Sequence, residues 1–228
     1  MRNETWWMLK RLLIAVIFSM AFGYIEAAVV VYLRALFHPH GFTFPMAVFD
    51  ATPEAKWLML TEVGREAATL VLILTGAWLF GNLRQERIAY FLIIFAVWDV
   101  FYYVWLKVLL GWPATLMDWD ILFLMPAVWA SPVLYPVLVS LAMFAYAAAI
   151  LYRCAQGRPL AVTYADWLGW SASLLVIMVS FCLGGTHITE PNYADYFYWP
   201  LFAGGLALGI VFCARSLRER PLAVAAST

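Results

Sequence analysis

The sequence predicts an all-α, polytopic membrane protein: a six-transmembrane-helix bundle with a proline-broken or re-entrant segment before the fourth helix. Three observations carry this. The chain is 65% hydrophobic and only 12% charged, whereas soluble proteins hold about 45–50% apolar and ~25% charged residues. Apolar stretches of roughly 20 residues, long enough to cross a bilayer, recur along it. Twelve Trp and twelve Tyr are present, several flanking those stretches, where aromatic belts form at membrane interfaces. With 228 residues, residues 1–228 read as a single integral membrane domain.

The spans follow in order. The first, residues 12–36, comes after Lys10 and Arg11. A basic start before an apolar run also suits a signal peptide, but a run of about 25 residues suits a span better. The second covers residues 57–83 and the third residues 88–110, joined by a short basic turn with Arg84 and Arg87. From Asp120 to Arg153 one continuous helix would be roughly 50 Å long, more than a span needs. Pro126, Pro132 and Pro136 interrupt that stretch, and proline removes a helix hydrogen bond. Residues 121–130 therefore read as an interfacial or re-entrant piece and residues 133–152 as the fourth span. The fifth covers residues 167–184 and the sixth residues 199–214, followed by a cytoplasmic tail, residues 215–228. Gly205 and Gly209 in the sixth form a GxxxG, which lets helices approach closely. Packing inside the bundle is favoured over a dimer face.

Charge sets the orientation. One side of this topology gathers Arg2, Lys10, Arg11, Arg84, Arg87, Arg153, Arg158, Arg215, Arg218 and Arg220, and the other only Arg34, Lys56, Arg65 and Lys107. The positive-inside rule then places both termini in the cytoplasm. The expected location is a bacterial-type cytoplasmic (inner) membrane.

Glu26, Glu62, Glu66 and Asp99 fall within or at the edge of apolar runs. At 1.5 Å rise per residue, Glu26 lies about 22 Å from Arg11, Asp99 about 18 Å from Arg87, and Glu66 and Glu62 roughly 27 and 33 Å from Arg84. All four fall from the midplane outward and are candidates to line one outward-opening pocket. Glu62 and Glu66 share a helix face with Arg65, while Asp99, Tyr103 and Lys107 follow at four-residue steps. A charge at bilayer depth costs about 2.5–3.5 kcal/mol on insertion scales, so such residues face the bundle interior and mark functional sites. Two glutamates at i,i+4 repel, which calls for Arg65, a cation or a proton between them.

Glu66, Glu26 and Asp99, with Arg65 as charge partner, are the first candidates for a catalytic or ligand-binding site. Glu62, Tyr103, Lys107, His187 and Glu190 follow as ligand-binding candidates. Glu26, Glu66, Asp99 and His187 are the metal-ligand candidates, because carboxylates with a histidine suit hard or borderline divalent ions. The leading reading is a small-molecule or metal site of a membrane-embedded enzyme. Alternatives are a proton- or cation-coupled solute carrier and a non-catalytic subunit of a larger membrane complex. In the competing structural reading, Arg65 pairs with Glu26 or a neighbour on its own helix and the charges only fix helix register.

Other signals exclude more than they assign. The spacings His-Glu-x-x-His and Glu-x-x-His, used by zinc and di-iron sites, do not occur, and no histidine lies within a span to ligate haem. No nucleotide signature is present, so a divalent metal is the only cofactor class suggested. The pair His38 and His40 reads as solvated loop residues, and Asp118-Trp119-Asp120 as an interfacial turn. Three cysteines without a CxxC suggest neither a disulfide framework nor a thiolate metal site. The expected partners are the lipid bilayer and either a second copy of the chain or a larger membrane complex. Scattered basic residues exclude nucleic acid.

Overall fold

The computed structural model describes residues 2–38, 41–46 and 52–218; His40, Arg220 and the tail beyond residue 218 lie outside them. Six long helices form: α1 Arg2–Phe37, α2 Pro53–Phe80, α3 Arg84–Leu110, α4 Leu134–Ala155, α5 Tyr164–Gly185 and α6 Trp199–Leu217. Each contains a stretch long and apolar enough to cross a membrane. Their outer faces stay greasy, with Leu79 in α2 83% exposed. Apolar surface on that scale has no place in water and fits a lipid solvent. The chain is therefore a multi-pass membrane protein by its fold.

The ends of the helices follow local chemistry. Thr52 caps α2, its Oγ1 accepting from Ala55 N at 3.3 Å, and Pro53 sits in the first turn, where its missing N–H is harmless. Glu86 turns back to accept from Asn82 N at 2.8 Å and Leu83 N at 3.3 Å, which starts α3. Gly111, at φ +70°, ends α3 in the left-handed conformation glycine adopts without penalty. Asp166 accepts from Thr163 N and Thr163 Oγ1 at 2.8 and 2.7 Å at the start of α5, and Arg215 of α6 reaches the same carboxylate at 3.3 Å.

Helix α3 is the hub, packing on α1, α2 and α4. One apolar core fills this group, with Ile73, Tyr90, Ile93, Ile94, Ala147 and Ile150 at its centre. A second core joins α5 and α6 around Ile177, Phe181, Phe197 and Phe202. The GxxxG of α6 is used there: Gly205 faces Ile177, Gly209 faces Ser173, and Ser173 Oγ donates to Gly205 O at 2.8 Å. The small residues bring α6 onto α5 within one chain.

The segment before α4 is an antiparallel β-hairpin. Strand β1 (Trp119–Phe123) pairs with β2 (Trp129–Pro132) in the register Trp119↔Pro132, Asp120↔Ser131 and Ile121↔Ala130. The break that the prolines predict is present, in the form of two short strands. Both enter the bundle. The Phe123 ring lies 6.4 Å from Trp98 and the Trp129 ring 6.1 Å from Phe181. Trp98 sits about 18 Å along α3 from Leu110, so the hairpin descends deep between the two helix groups.

Strand backbone away from water needs polar partners, and close docking on a helix needs room. Leu124 N donates to the Glu66 carboxylate. Gly184 and Gly185 of α5 lie directly against the carbonyls of Ala130 and Val128, where any Cβ would collide.

Candidate functional site

Charged and phenolic groups gather where the hairpin meets α1, α2 and α3. Arg65 on α2 is the anchor. Its Nη1 pairs with Glu26 on α1, and its Nε donates to Glu62 Oε2 at 2.8 Å. The remaining oxygen of Glu26 accepts from Thr69 Oγ1 at 2.5 Å. Helical spacing explains the set: residues 62, 65 and 69 fall on one face of α2 at i, i+3 and i+7. Arg65 thus takes both partners that the sequence offered as alternatives.

A second pair lies beside the first. Arg34 in the last turn of α1 reaches Asp120 of β1 at 3.4 Å, and Tyr102 OH donates to the other Asp120 oxygen at 3.4 Å. The Arg34 guanidinium is also sandwiched between Phe42 and Trp112, 4.0 and 3.8 Å from their ring centroids. Tyr102 lies within electrostatic reach of both clusters, feeling Asp120, Arg34, Arg65 and Glu26, and Tyr103 feels Asp120 and Asp99.

Two acids accept their hydrogen bonds from neutral donors among the described residues, although Arg65 is within electrostatic reach of Glu66. Both Glu66 oxygens accept from Leu124 N, at 2.9 and 3.0 Å. Asp99 accepts from Ser140 Oγ on α4 at 2.8 Å. Glu26, Asp99 and Asp120 lie within electrostatic reach of the two tyrosines, and Glu62 and Glu66 share α2 with Arg65. The guanidiniums that face these five acids among the described residues are Arg34 and Arg65.

The structure therefore brings Glu26, Arg65, Glu62, Glu66 and Tyr103 into one region, with Asp99 at its α4 side. Lys107 is not drawn in. Its Nζ donates to Gly111 O and Pro113 O at 3.1 and 2.7 Å, fastening the C-terminal end of α3. His187 and Glu190 bond to each other at 2.6 Å in the α5–α6 connection, and the His187 ring stacks on Tyr196 at 3.6 Å. Among the described residues, no three His, Cys, Asp or Glu side chains are grouped to hold a metal ion. The candidates Glu26, Glu66, Asp99 and His187 are thus not gathered into a preformed metal set.

Above the hairpin, Phe44, Trp119 and Tyr193 pack ring on ring, and Met46 N donates to Ile188 O at 2.7 Å. The two connections form a cover at this end of the bundle. In that cover the His187 hydrogen bond holds the Glu190 carboxyl below its ordinary value. An acid with a lowered folded value contributes stability above its unfolded value that is lost as pH falls through the folded one. Protection from hydrogen exchange across residues 186–196, measured relative to the intrinsic rate at each pH, is expected to fall on acidification below about pH 4.3, and Glu190→Gln should remove that fall.

Sequence reasoning missed Arg34, Asp120, Thr69 and Ser140. Asp118 does form the turn, accepting from Ala114 N and Thr115 Oγ1, but Asp120 points inward and is 3% exposed. Strand alternation explains why: residues two apart point to the same face, but Asp118 precedes β1 and escapes the pattern. The available signal was Arg34, a lone cation near the end of an apolar run, which calls for a buried partner.

No family model, curated protein or solved structure matches this chain.

Proposed function

We propose that this is a multi-pass protein of a bacterial-type cytoplasmic membrane, with both termini cytoplasmic, whose working part is a carboxylate- and tyrosine-lined site in the extracytoplasmic half. The site binds a cationic small molecule, as the ligand site of a membrane-embedded enzyme. The observation that supports this is the acidic surplus over Arg34 and Arg65 among the described residues, with Glu66 and Asp99 hydrogen-bonded to Leu124 N–H and Ser140 hydroxyl and in no ion pair there. Excess carboxylates removed from water need positive charge, and a ligand cation or a proton supplies it. Phenol faces beside carboxylates suit an organic ammonium or guanidinium.

The test uses purified protein and small cations of graded chemistry: guanidinium, tetramethylammonium, Mg²⁺ and Mn²⁺. An organic cation is expected to raise Tm in the wild type. Glu66→Gln and Asp99→Asn should each abolish that rise while keeping the protein folded, because both replacements still accept a hydrogen bond. A rise with Mn²⁺ or Mg²⁺ alone, with stoichiometric metal by elemental analysis, would make the site a metal centre. No response to any cation would leave the polar network as a fastening of helix register.

The Asp99–Ser140 contact favours a second reading, a proton-coupled carrier. It joins α3 to α4 through a titratable group, so protonation of Asp99 would weaken that contact and loosen the two helices locally around it. Proton uptake on solute binding, lost in Asp99→Asn, separates the carrier from the enzyme.

A further inference from the structure

The opposite end of the bundle holds a cleft of about 630 Å³ between the start of α1, the α2–α3 turn and the end of α4. Small-molecule sites fall in this size range. Its polar groups are unlike those of the acidic cluster. Arg11 donates through Nη1 and Nη2 to the Asn82 amide oxygen, turned toward it, at 2.7 and 3.2 Å. Three of its five N–H donors remain.

Glu86 spends Oε2 on the backbone of Asn82 and Leu83, leaving Oε1 without a protein partner among the described residues. Arg11 and Glu86 both line the cleft, yet no ion pair joins them among the described residues. Tyr90 is 1% exposed, lines the cleft, and lies within electrostatic reach of both charges. Its hydroxyl has no hydrogen-bond partner among the described residues. The Tyr90 side chain is buried but borders the cleft, so its hydroxyl is free to bond a polar ligand there. The walls are apolar, formed by Trp7, Leu83 and Leu151. Trp7 and Leu83 are both largely exposed at the rim of the cleft.

A separated cation and anion, an unpaired phenol and an apolar flank together match one chemistry, a zwitterion that carries a hydrocarbon chain. We propose that this cleft binds the headgroup of an aminophospholipid. The phosphate meets Arg11 and the Tyr90 hydroxyl, the primary ammonium meets Glu86 Oε1, and the acyl chains run along Trp7 and Leu83. A choline headgroup lacks the N–H that Glu86 would accept. An anionic glycerol headgroup places no positive charge there and is repelled by Glu86. The site rests on neither the orientation of the chain nor the acidic cluster.

Native mass spectrometry of the full chain, released from nanodiscs holding equal shares of phosphatidylethanolamine, phosphatidylcholine and phosphatidylglycerol, tests this. The wild type should retain the ethanolamine lipid over the choline lipid by about tenfold, the equivalent of one charge-assisted hydrogen bond. Glu86→Gln keeps the helix cap, since glutamine accepts the same N–H bonds, and should erase that preference. Tyr90→Phe should lower retention of the ethanolamine lipid without changing the fold. Soluble phosphoethanolamine separates a lipid from a free phosphate compound: it should displace the retained lipid only weakly. Equal retention of the three lipids overturns the proposal. So does a preference that survives Glu86→Gln, or displacement by phosphoethanolamine or inorganic phosphate at concentrations near those of the lipid.

Discussion

Arg65→Ala will give a protein that melts far below the wild type, with a loss of about 3 kcal/mol, or roughly 6–12 °C in Tm for a chain of this size. Arg65 is the shared cation of Glu26 and Glu62, whose side chains are 6% and 15% exposed. Removing it strands two carboxylates that repel each other and have lost access to bulk water. The position of α2 magnifies the effect. Close backbone packing ties α2 mainly to α3, and its apolar contacts to the core, through Ile73, Ala77 and Phe80, lie in its C-terminal half. The half nearer Pro53 is held by Arg65 and Glu66.

A neutral set is the control. Arg65→Met combined with Glu26→Gln and Glu62→Gln should recover most of the lost Tm, because buried ion pairs replaced by neutral groups of similar volume are often neutral or better. If the triple variant melts as low as Arg65→Ala, packing of the arginine stem rather than charge pairing holds α2. The same variant also probes function: under the proposed cation site it should fold yet fail to respond to the organic cation.

The fold was legible where it depends on composition and local pattern. Six helices lie where runs of apolar residues predict them. The third ends at Leu110 before Gly111, and the second near the basic turn. The span limits differ most at α1, which begins at Arg2, because a helix continues past the apolar run when its residues are good helix formers. The hairpin was not legible as β structure. A short apolar run between prolines fits strand and helix equally well by periodicity. The choice is made by tertiary partners: the Glu66 carboxylate for Leu124, and glycines on α5 that make room for the carbonyls of Val128 and Ala130.

In the site, Glu26, Glu62, Arg65, Glu66 and Asp99 stood out because charges in apolar runs are rare. Arg34–Asp120 and Asp99–Ser140 join residues 86 and 41 positions apart, and nothing local encodes such pairings. Serine and threonine carry no such flag, since they bond to their own helix as readily as to another, as Ser19 does to Ala15 O.

The hairpin depends on the flat face of α5, and this gives the second large effect. Gly185→Ala will lower stability by about 2–3 kcal/mol and expose residues 119–132 to hydrogen exchange and protease. The added Cβ would overlap the Val128 carbonyl, a backbone atom that no rotamer change can move. The hairpin cannot retreat freely, because Glu66 holds Leu124 N and Arg34 holds Asp120 on its far side. Relief must come from α5 moving away, which separates Phe181 from Trp129, or from loss of the Glu66 bond.

Gly204→Ala on α6 is the matched control. Nothing lies within 4 Å of a Cβ at that position, so the change should be neutral or stabilising by about 0.5–1 kcal/mol through helix propensity. If Gly185→Ala behaves like Gly204→Ala, the hairpin does not dock on α5 as described. The cation response adds a further reading. A hairpin displaced from α5 drags Leu124 from Glu66 and Asp120 from Arg34, so Gly185→Ala should also weaken cation binding at residues it does not touch. Stability lost with binding intact would mean that the acidic site is assembled by α1, α2 and α3 alone.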